Sequence, residues 1–198
     1  MQSREFLSLL TAQLGCTRAE AELLLEHFRP ASYAKGSLWQ GPATSYAKLA
    51  WVTSGYVRIH ATQVLDAKEP DITQWITVPG YLMVDLAWFF GEGTARWTMT
   101  CLTDVQVLEI SKLAYDAFVQ EHTFWQSLER KFLIRCFETI ENRVFQLLSL
   151  DAAQRFLYLY QYGPELINAV PNQYLASMLG MTPETFSRLR AKLAEGTL

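Results

Sequence analysis

Apolar residues recur at helical spacing over residues 3–28, first Phe6, Leu9 and Leu10, then Ala21, Leu24, Leu25 and Phe28. Thr17 opens the second of these pieces, with Glu20 three residues on to complete a capping box. From about 31 to 111 the period changes. Short runs rich in Trp, Tyr, Val, Ile and Thr, at 49–53, 54–59, 72–78, 97–102 and 105–110, alternate with Gly, Pro and Asp, and Gly55 marks a tight reversal. Regular short strands of this kind predict an antiparallel barrel or roll. The stretch 84–91 has no strong turn signal and reads as a short helix inside it. After Ser111 the helical period returns, with a short helix over 112–120 and a long one from Phe124 to Leu150. The long helix carries one stripe of Trp125, Leu128, Phe132, Cys136, Ile140, Val144 and Leu147, and a second of Phe124, Leu133, Phe137 and Leu148. Two stripes call for two neighbours: the roll, and either the same helix of a second subunit or more of the same chain.

Asp151 is placed to cap the segment that follows. Residues 172–193 then read as a helix-turn-helix. Leu175, Met178 and Leu179 form an apolar stripe, and the small Ala176 lets a second helix cross closely. Gly180 falls where the first helix ends, Thr182 is a good N-cap and Pro183 a good first residue. Phe186, Leu189 and Leu193 face back onto the first helix, leaving Pro183, Glu184, Ser187, Arg188 and Lys192 outward. Glu184 and Arg188, four apart, share a face. Glu can accept from a cytosine amino group and Arg can bind guanine bidentately; an exposed salt bridge would use the same spacing. Arg190 points elsewhere, to a phosphate or to nothing. The plain alternative for the whole motif is a surface helical hairpin without a ligand.

The 198 residues are half hydrophobic and 13% aromatic, enough for a packed core, and the charged fraction of 19% is too low for a disordered chain. The net charge of −3 argues against indiscriminate nucleic-acid binding. Residues 151–198 hold four basic and four acidic residues, so the deficit lies in the rest of the chain. Cys16, Cys101 and Cys136 are scattered and have no metal-ligand or redox spacing, which fits buried thiols in a reducing cytoplasm. No stretch reads as a signal peptide or a membrane span. His27, His60 and His122 are isolated, so a metal-dependent enzyme built on a roll lacks its converging ligands and no catalytic or metal site is expected.

Roll, long helix and helix-turn-helix in this order resemble the Crp/Fnr family, the cyclic-AMP receptor protein and its relatives. The likeness is most specific in residues 170–193, and in Val52, Gly55, Val57 and Arg58, which resemble that family's Val-x-x-Gly-x-Val-Arg strand-turn-strand. Asp151 followed by Arg155 resembles the start of its last domain. The resemblance implies an α+β chain: an antiparallel β-roll of the cyclic-nucleotide-binding kind with flanking helices over 1–123, a long dimerisation helix over 124–150 and a helix-turn-helix DNA-binding domain over 151–198. It further implies a cytoplasmic homodimer whose DNA-binding helices lie about 34 Å apart on a near-palindromic double-stranded operator, with RNA polymerase as a further partner. Thr182, Pro183, Glu184, Ser187, Arg188 and Lys192 are the expected DNA-binding residues.

The nucleotide pocket departs from the family pattern. Where cyclic-AMP binders carry Gly-Glu, this chain reads Val84-Asp85. Their Arg-Ser/Thr-Ala segment corresponds to residues 94–97, with Arg96 one residue late and the bulky Trp97 beside it. A shift of one residue sends a strand side chain to the opposite face unless a bulge restores it. The effector pocket is therefore expected at Val84, Asp85, Arg96 and Trp97 in altered form, with Trp88, Phe89 and Phe90 as lining or core, taking an unknown small effector or none rather than cyclic AMP in the usual mode. The family's cysteine-held iron-sulfur cluster is not expected, and a β-wing after the last helix is expected to be absent or short. The alternative function is a ligand-binding sensor whose C-terminal hairpin docks a protein partner.

Overall fold

The N-terminal apolar stripe folds as α1 (Gln2–Leu9), which runs on into a π-helical turn (Leu10–Leu14), and then α2 (Arg18–Leu25). The computed structural model describes residues 2–62 and 71–198. Gly15 ends the π turn in the left-handed region, at φ 72°. The capping box forms as read: the Thr17 hydroxyl accepts the Glu20 N–H and the Glu20 carboxylate accepts the Thr17 N–H at 2.7 Å.

Eight strands and seven further helices follow among the described residues. The strands are β1 (Arg29–Tyr33), β2 (Leu38–Gln40), β3 (Lys48–Ser54), β4 (Val57–Thr62), β5 (Asp71–Thr77), β6 (Leu82–Val84), β7 (Thr98–Cys101) and β8 (Val105–Ser111). Helix α3 (Leu86–Phe90) sits between β6 and β7. After β8 come α4 (Lys112–Glu121), α5 (Trp125–Ser149), α6 (Ala152–Tyr162), α7 (Pro164–Ala169), α8 (Asn172–Met178) and α9 (Pro183–Ala194). The chain divides into two units, Met1–Val57 with Thr77–Phe137, and Arg58–Ile76 with Glu138–Leu198.

In the first unit one antiparallel sheet takes the order β1-β8-β3-β6, and β2 pairs with β7. Register sets Leu49 opposite Ile110 and Trp51 opposite Leu108. These four side chains turn to the helices and join one core with Phe6, Leu24, Phe28, Phe89, Phe118 and Trp125. Alternation sends Lys48, Ala50, Val52, Val107 and Glu109 to the other face of the sheet. Trp51 stacks on Phe6 at 5.2 Å, and Phe28 meets Phe6 edge-on at 4.9 Å.

Gly55 makes the reversal between β3 and β4 at φ 86°, and a Cβ there would lie 2.3 Å from the Asp104 carbonyl oxygen and 2.8 Å from Thr103 Oγ1. Both the left-handed backbone and the close approach demand glycine. Gly55→Ala should lower stability by at least about 1–3 kcal/mol, read as a drop in the urea midpoint with an unchanged slope.

The second unit holds the neighbouring strands β4 and β5 (all but their first and last residues respectively), the C-terminal half of α5, and α6 to α9. Phe156, Leu159, Leu166, Ile167, Leu175, Ala176, Phe186 and Leu189 are buried, and Phe156 meets Phe186 edge-on at 5.1 Å. Asp151 caps α6 through a capping box with Gln154.

Helix α5 spans the length its pattern predicts, yet of its two stripes only Trp125 and Leu128 are buried. Phe137, Ile140, Val144, Leu147 and Leu148 are exposed in the single chain, joined by Ile134 and Phe145, which neither stripe contained. Among the described residues, nothing covers this side of the helix. None of the helices is long and apolar enough to cross a membrane, among the described residues.

Candidate functional site

The turn between α8 and α9 is a complete Schellman motif. The Met181 N–H bonds the Ala176 carbonyl at 3.0 Å, the Gly180 N–H bonds the Ser177 carbonyl at 3.1 Å, and Gly180 takes φ 63°. Thr182 then caps α9, its hydroxyl accepting the Thr185 N–H at 3.3 Å, and Pro183 occupies the first turn. Phe186 and Leu189 are buried against the rest of the unit, while Leu193 is only half-buried. Thr182, Pro183, Glu184, Ser187, Arg188 and Lys192 are all exposed, on or immediately before α9.

The polar side chains on that face differ in how they are held. Main-chain hydrogen bonding at Glu184 and the Thr182 hydroxyl keep its carboxyl below the ordinary carboxylate value, so it stays an anion and an acceptor. Glu184 and Arg188 form no ion pair. Ser187 Oγ accepts from Asn172 Nδ2 at 3.3 Å. Arg188 and Lys192 have no hydrogen-bond or ion-pair partner among the described residues. Arg190 is different: it donates to Asn172 Oδ1 at 3.1 Å and Asn168 Oδ1 at 3.2 Å, tying α9 to α7 and α8.

Arg155 holds the motif from beneath. It donates to the carbonyls of Leu150 at 2.6 Å, Leu179 at 2.8 Å and Gly180 at 3.4 Å, satisfying helix-end acceptors that no N–H of their own helix can reach. Arg155→Ala should destabilise by about 1.5–3 kcal/mol, the range for charge-assisted hydrogen bonds. A lower melting temperature with α9 amides exchanging faster would check it.

The outward side of α8 meets the strands of its own unit. Ser177 Oγ accepts the Thr73 N–H at 2.9 Å, and the Arg58 guanidinium lies 4.0 Å from the centre of the Tyr174 ring. Arg58 is itself fixed, donating to Asp71 Oδ2 at 2.7 Å and to Thr73 Oγ1 at 2.8 Å. Asp71 also holds His60 Nδ1 at 2.7 Å. Burial pushes the Asp71 carboxyl up, but its hydrogen bonds with Arg58 and His60 outweigh this and hold it below its ordinary value. Arg143 of α5 donates to the Met178 carbonyl and lies 5.4 Å from the Trp75 ring. Sequence reading had singled out Arg58 only within a motif, and Tyr174, Ser177 and Arg143 not at all. A cation between the stripe residues Ile140 and Val144 of α5 was an available signal.

The four expected effector residues lie in the first unit. Asp85 is buried and caps α3, its Oδ1 accepting the Trp88 N–H at 3.4 Å. Its Oδ2 accepts the N–H groups of Arg96 at 2.9 Å and Trp97 at 3.2 Å. The carboxylate thus ties residues 96–97 to α3 and gives three of its about four acceptor positions to backbone. Arg96 is exposed, its guanidinium 4.9 Å from the Trp97 ring. Val84 is half-buried in β6, opposite Leu49. Phe89 is core, and Trp88 and Phe90 pack against that core. Burial pushes all three thiols up, Cys136 to about 11, so none is poised as a thiolate.

No family model matches the chain, and no curated protein matches it. Solved structures do. The c-di-GMP responsive global regulator CLP of Xanthomonas campestris is 21% identical, with 91% of this chain and 93% of that chain covered at a TM-score of 0.64. FixK2 of Bradyrhizobium japonicum is 16% identical, with 85% of each covered at 0.64. The catabolite activator protein of Thermus thermophilus is 20% identical, with 94% of this chain and 87% of that one covered at 0.57. The chain therefore has the fold of the Crp/Fnr regulators, an antiparallel β-roll followed by a long helix and a helix-turn-helix, as its motifs had implied.

Proposed function

We propose that a chain with this fold is a transcription regulator that binds double-stranded DNA as a homodimer. The observation that carries the reading is α9: a capped helix on a Schellman turn, presenting on one exposed side Glu184 as an anion and Arg188 and Lys192, whose side chains have no partner among the described residues. In this reading Glu184 and Arg188 read base edges, and Thr182, Ser187 and Lys192 contact the backbone. The exposed apolar side of α5 supports self-association through residues 124–150, with 1–123 as sensor and 151–198 as the DNA-binding domain.

The bonds from β4 and β5 to α8 supply a route for regulation. Any ligand that shifts these strands changes the contacts of the helix that supports α9, and so biases where α9 lies. Asp85 is already bonded to three main-chain N–H groups, and Arg96 rests on Trp97. Both facts argue for an effector other than cyclic AMP held in the usual mode.

Binding selection from a random duplex library, with and without cyclic AMP, tests this. A two-fold-symmetric site should be enriched, and equally in both conditions. No preference over random DNA at moderate salt in either condition would overturn the reading, and recovery of a stoichiometric protein partner after DNA digestion would put the docking alternative in its place.

A further inference from the structure

A cavity of about 310 Å³ opens in the first unit between β1, β3 and β8 and the loops beside them. That volume sits at the lower end of ligand pockets, about 300–1,000 Å³. It is bordered by His27, Arg29, Tyr46, Lys48, Glu109 and Ser111. None of these belongs to the segments 84–85 and 94–97 considered above.

Lys48 is the unusual member. Its side chain is almost wholly buried, with 7% exposed, and is followed along β3 by the apolar run 49–52. It lies 4.9 Å from the centre of the Tyr33 ring and 4.7 Å from that of Trp39. It donates to the Tyr33 hydroxyl at 2.8 Å and to Glu109 Oε2 at a long 3.3 Å. An ammonium has three N–H donors, so one is left over. Glu109 is more fully engaged. It also accepts from the Tyr33 hydroxyl, at 3.0 Å through Oε1 and 2.9 Å through Oε2, and from Trp39 Nε1 at 2.8 Å through Oε2.

Arg29 adds a second cation on the cavity border. It donates through Nη1 to the main-chain carbonyls of Glu26 and Phe28, and it has no carboxylate partner among the described residues. Two basic side chains, Arg29 and Lys48, therefore border the cavity with one carboxylate, which is already shared among three donors. The cavity has a surplus of positive charge and of N–H donors, with the Tyr46 and Ser111 hydroxyls at its border.

We propose that this cavity is a binding site for a small organic anion, with Arg29 and Lys48 meeting its oxyanion group. A carboxylate and a phosphate satisfy the same donors, and the test separates them. The inference stands apart from the DNA reading, because binding is measured with no DNA present.

Full-length protein is titrated calorimetrically with citrate, with inorganic phosphate, and with glycerol as the uncharged control. At least one anion should bind saturably in the micromolar to low millimolar range, more weakly as sodium chloride rises, and glycerol should not. Arg29→Gln should weaken that anion at least tenfold; because Arg29 also bonds the Glu26 and Phe28 carbonyls, the titration is run well below the variant's own melting temperature, where it is folded. Arg18→Gln, which removes an exposed cation bonded to Glu22, should bind as the unaltered protein does. Absence of saturable binding by either anion, or equal losses in the two variants, would overturn the proposal.

Discussion

In the proposed homodimer, Phe145→Glu combined with Leu148→Glu should abolish self-association and leave a folded monomer. The two side chains are 68% and 82% exposed in the single chain, so neither contributes to its own core. Surface substitutions of this kind shift stability by only about 0.5 kcal/mol, and the melting curve should barely move. Self-association should respond very differently. Phe145 and Leu148 share a side of α5 with Ile134, Phe137 and Val144, all exposed. On a two-fold axis each substitution counts twice, because the same patch appears in both subunits. Burying a Phe or Leu is worth about 1.5–3 kcal/mol, so four lost side chains remove about 6–12 kcal/mol, and four carboxylates would have to be buried unpaired instead. Even half of the smaller figure raises the dimer dissociation constant more than a hundredfold. Affinity for a two-fold-symmetric DNA site should fall by about 100-fold or more as the linked second half-site is lost. Sedimentation equilibrium reads the first effect and binding to the selected duplex the second. A doubly substituted chain that still sediments as a dimer would show that this side of α5 is not the subunit interface.

The helix-turn-helix was legible because its signals are local and agree in register. A glycine at the Schellman position, a threonine cap and a first-turn proline lie within four residues, and each is used as its chemistry predicts. The roll was legible in its longer strands. β2 and β6 are three residues each, too short for alternation to register. β1 contains Pro30, which argues against a strand unless the strand is at an edge, and β1 is an edge of its sheet. Asp85 has a local signal of its own: it stands directly before the apolar run 86–90, the place of an N-cap, and its carboxylate caps α3. The pairs Thr73 with Ser177 and Lys48 with Glu109 are separated by 104 and 61 residues. No local rule could bring them together, since only the sheet and helix packing does so.

Arg188→Ala should cost about 1–3 kcal/mol on the preferred DNA site and little on random DNA, relaxing the choice of base at one position of each half-site. The argument rests on what the three basic residues of α9 are already doing. Arg190 is engaged with Asn168 and Asn172. Its replacement should loosen α9 and lower the melting temperature, with DNA affinity falling only through stability. Arg188 and Lys192 carry no such duty, so their alanine variants should melt as the unaltered protein does. They separate on DNA. A side chain that reads a base loses specificity when removed, whereas one that neutralises a phosphate loses affinity on every sequence and reduces the salt slope by about 0.9. Lys192, near the C-terminal end of α9, should behave in the second way. Arg188, one turn after Glu184 on the same side of the helix, should behave in the first. Titrations of both variants on the selected and on a scrambled duplex, each at two salt concentrations, distinguish the roles. A uniform loss for Arg188→Ala would reassign it to the phosphate backbone and leave Glu184 as the side chain through which α9 reads a base.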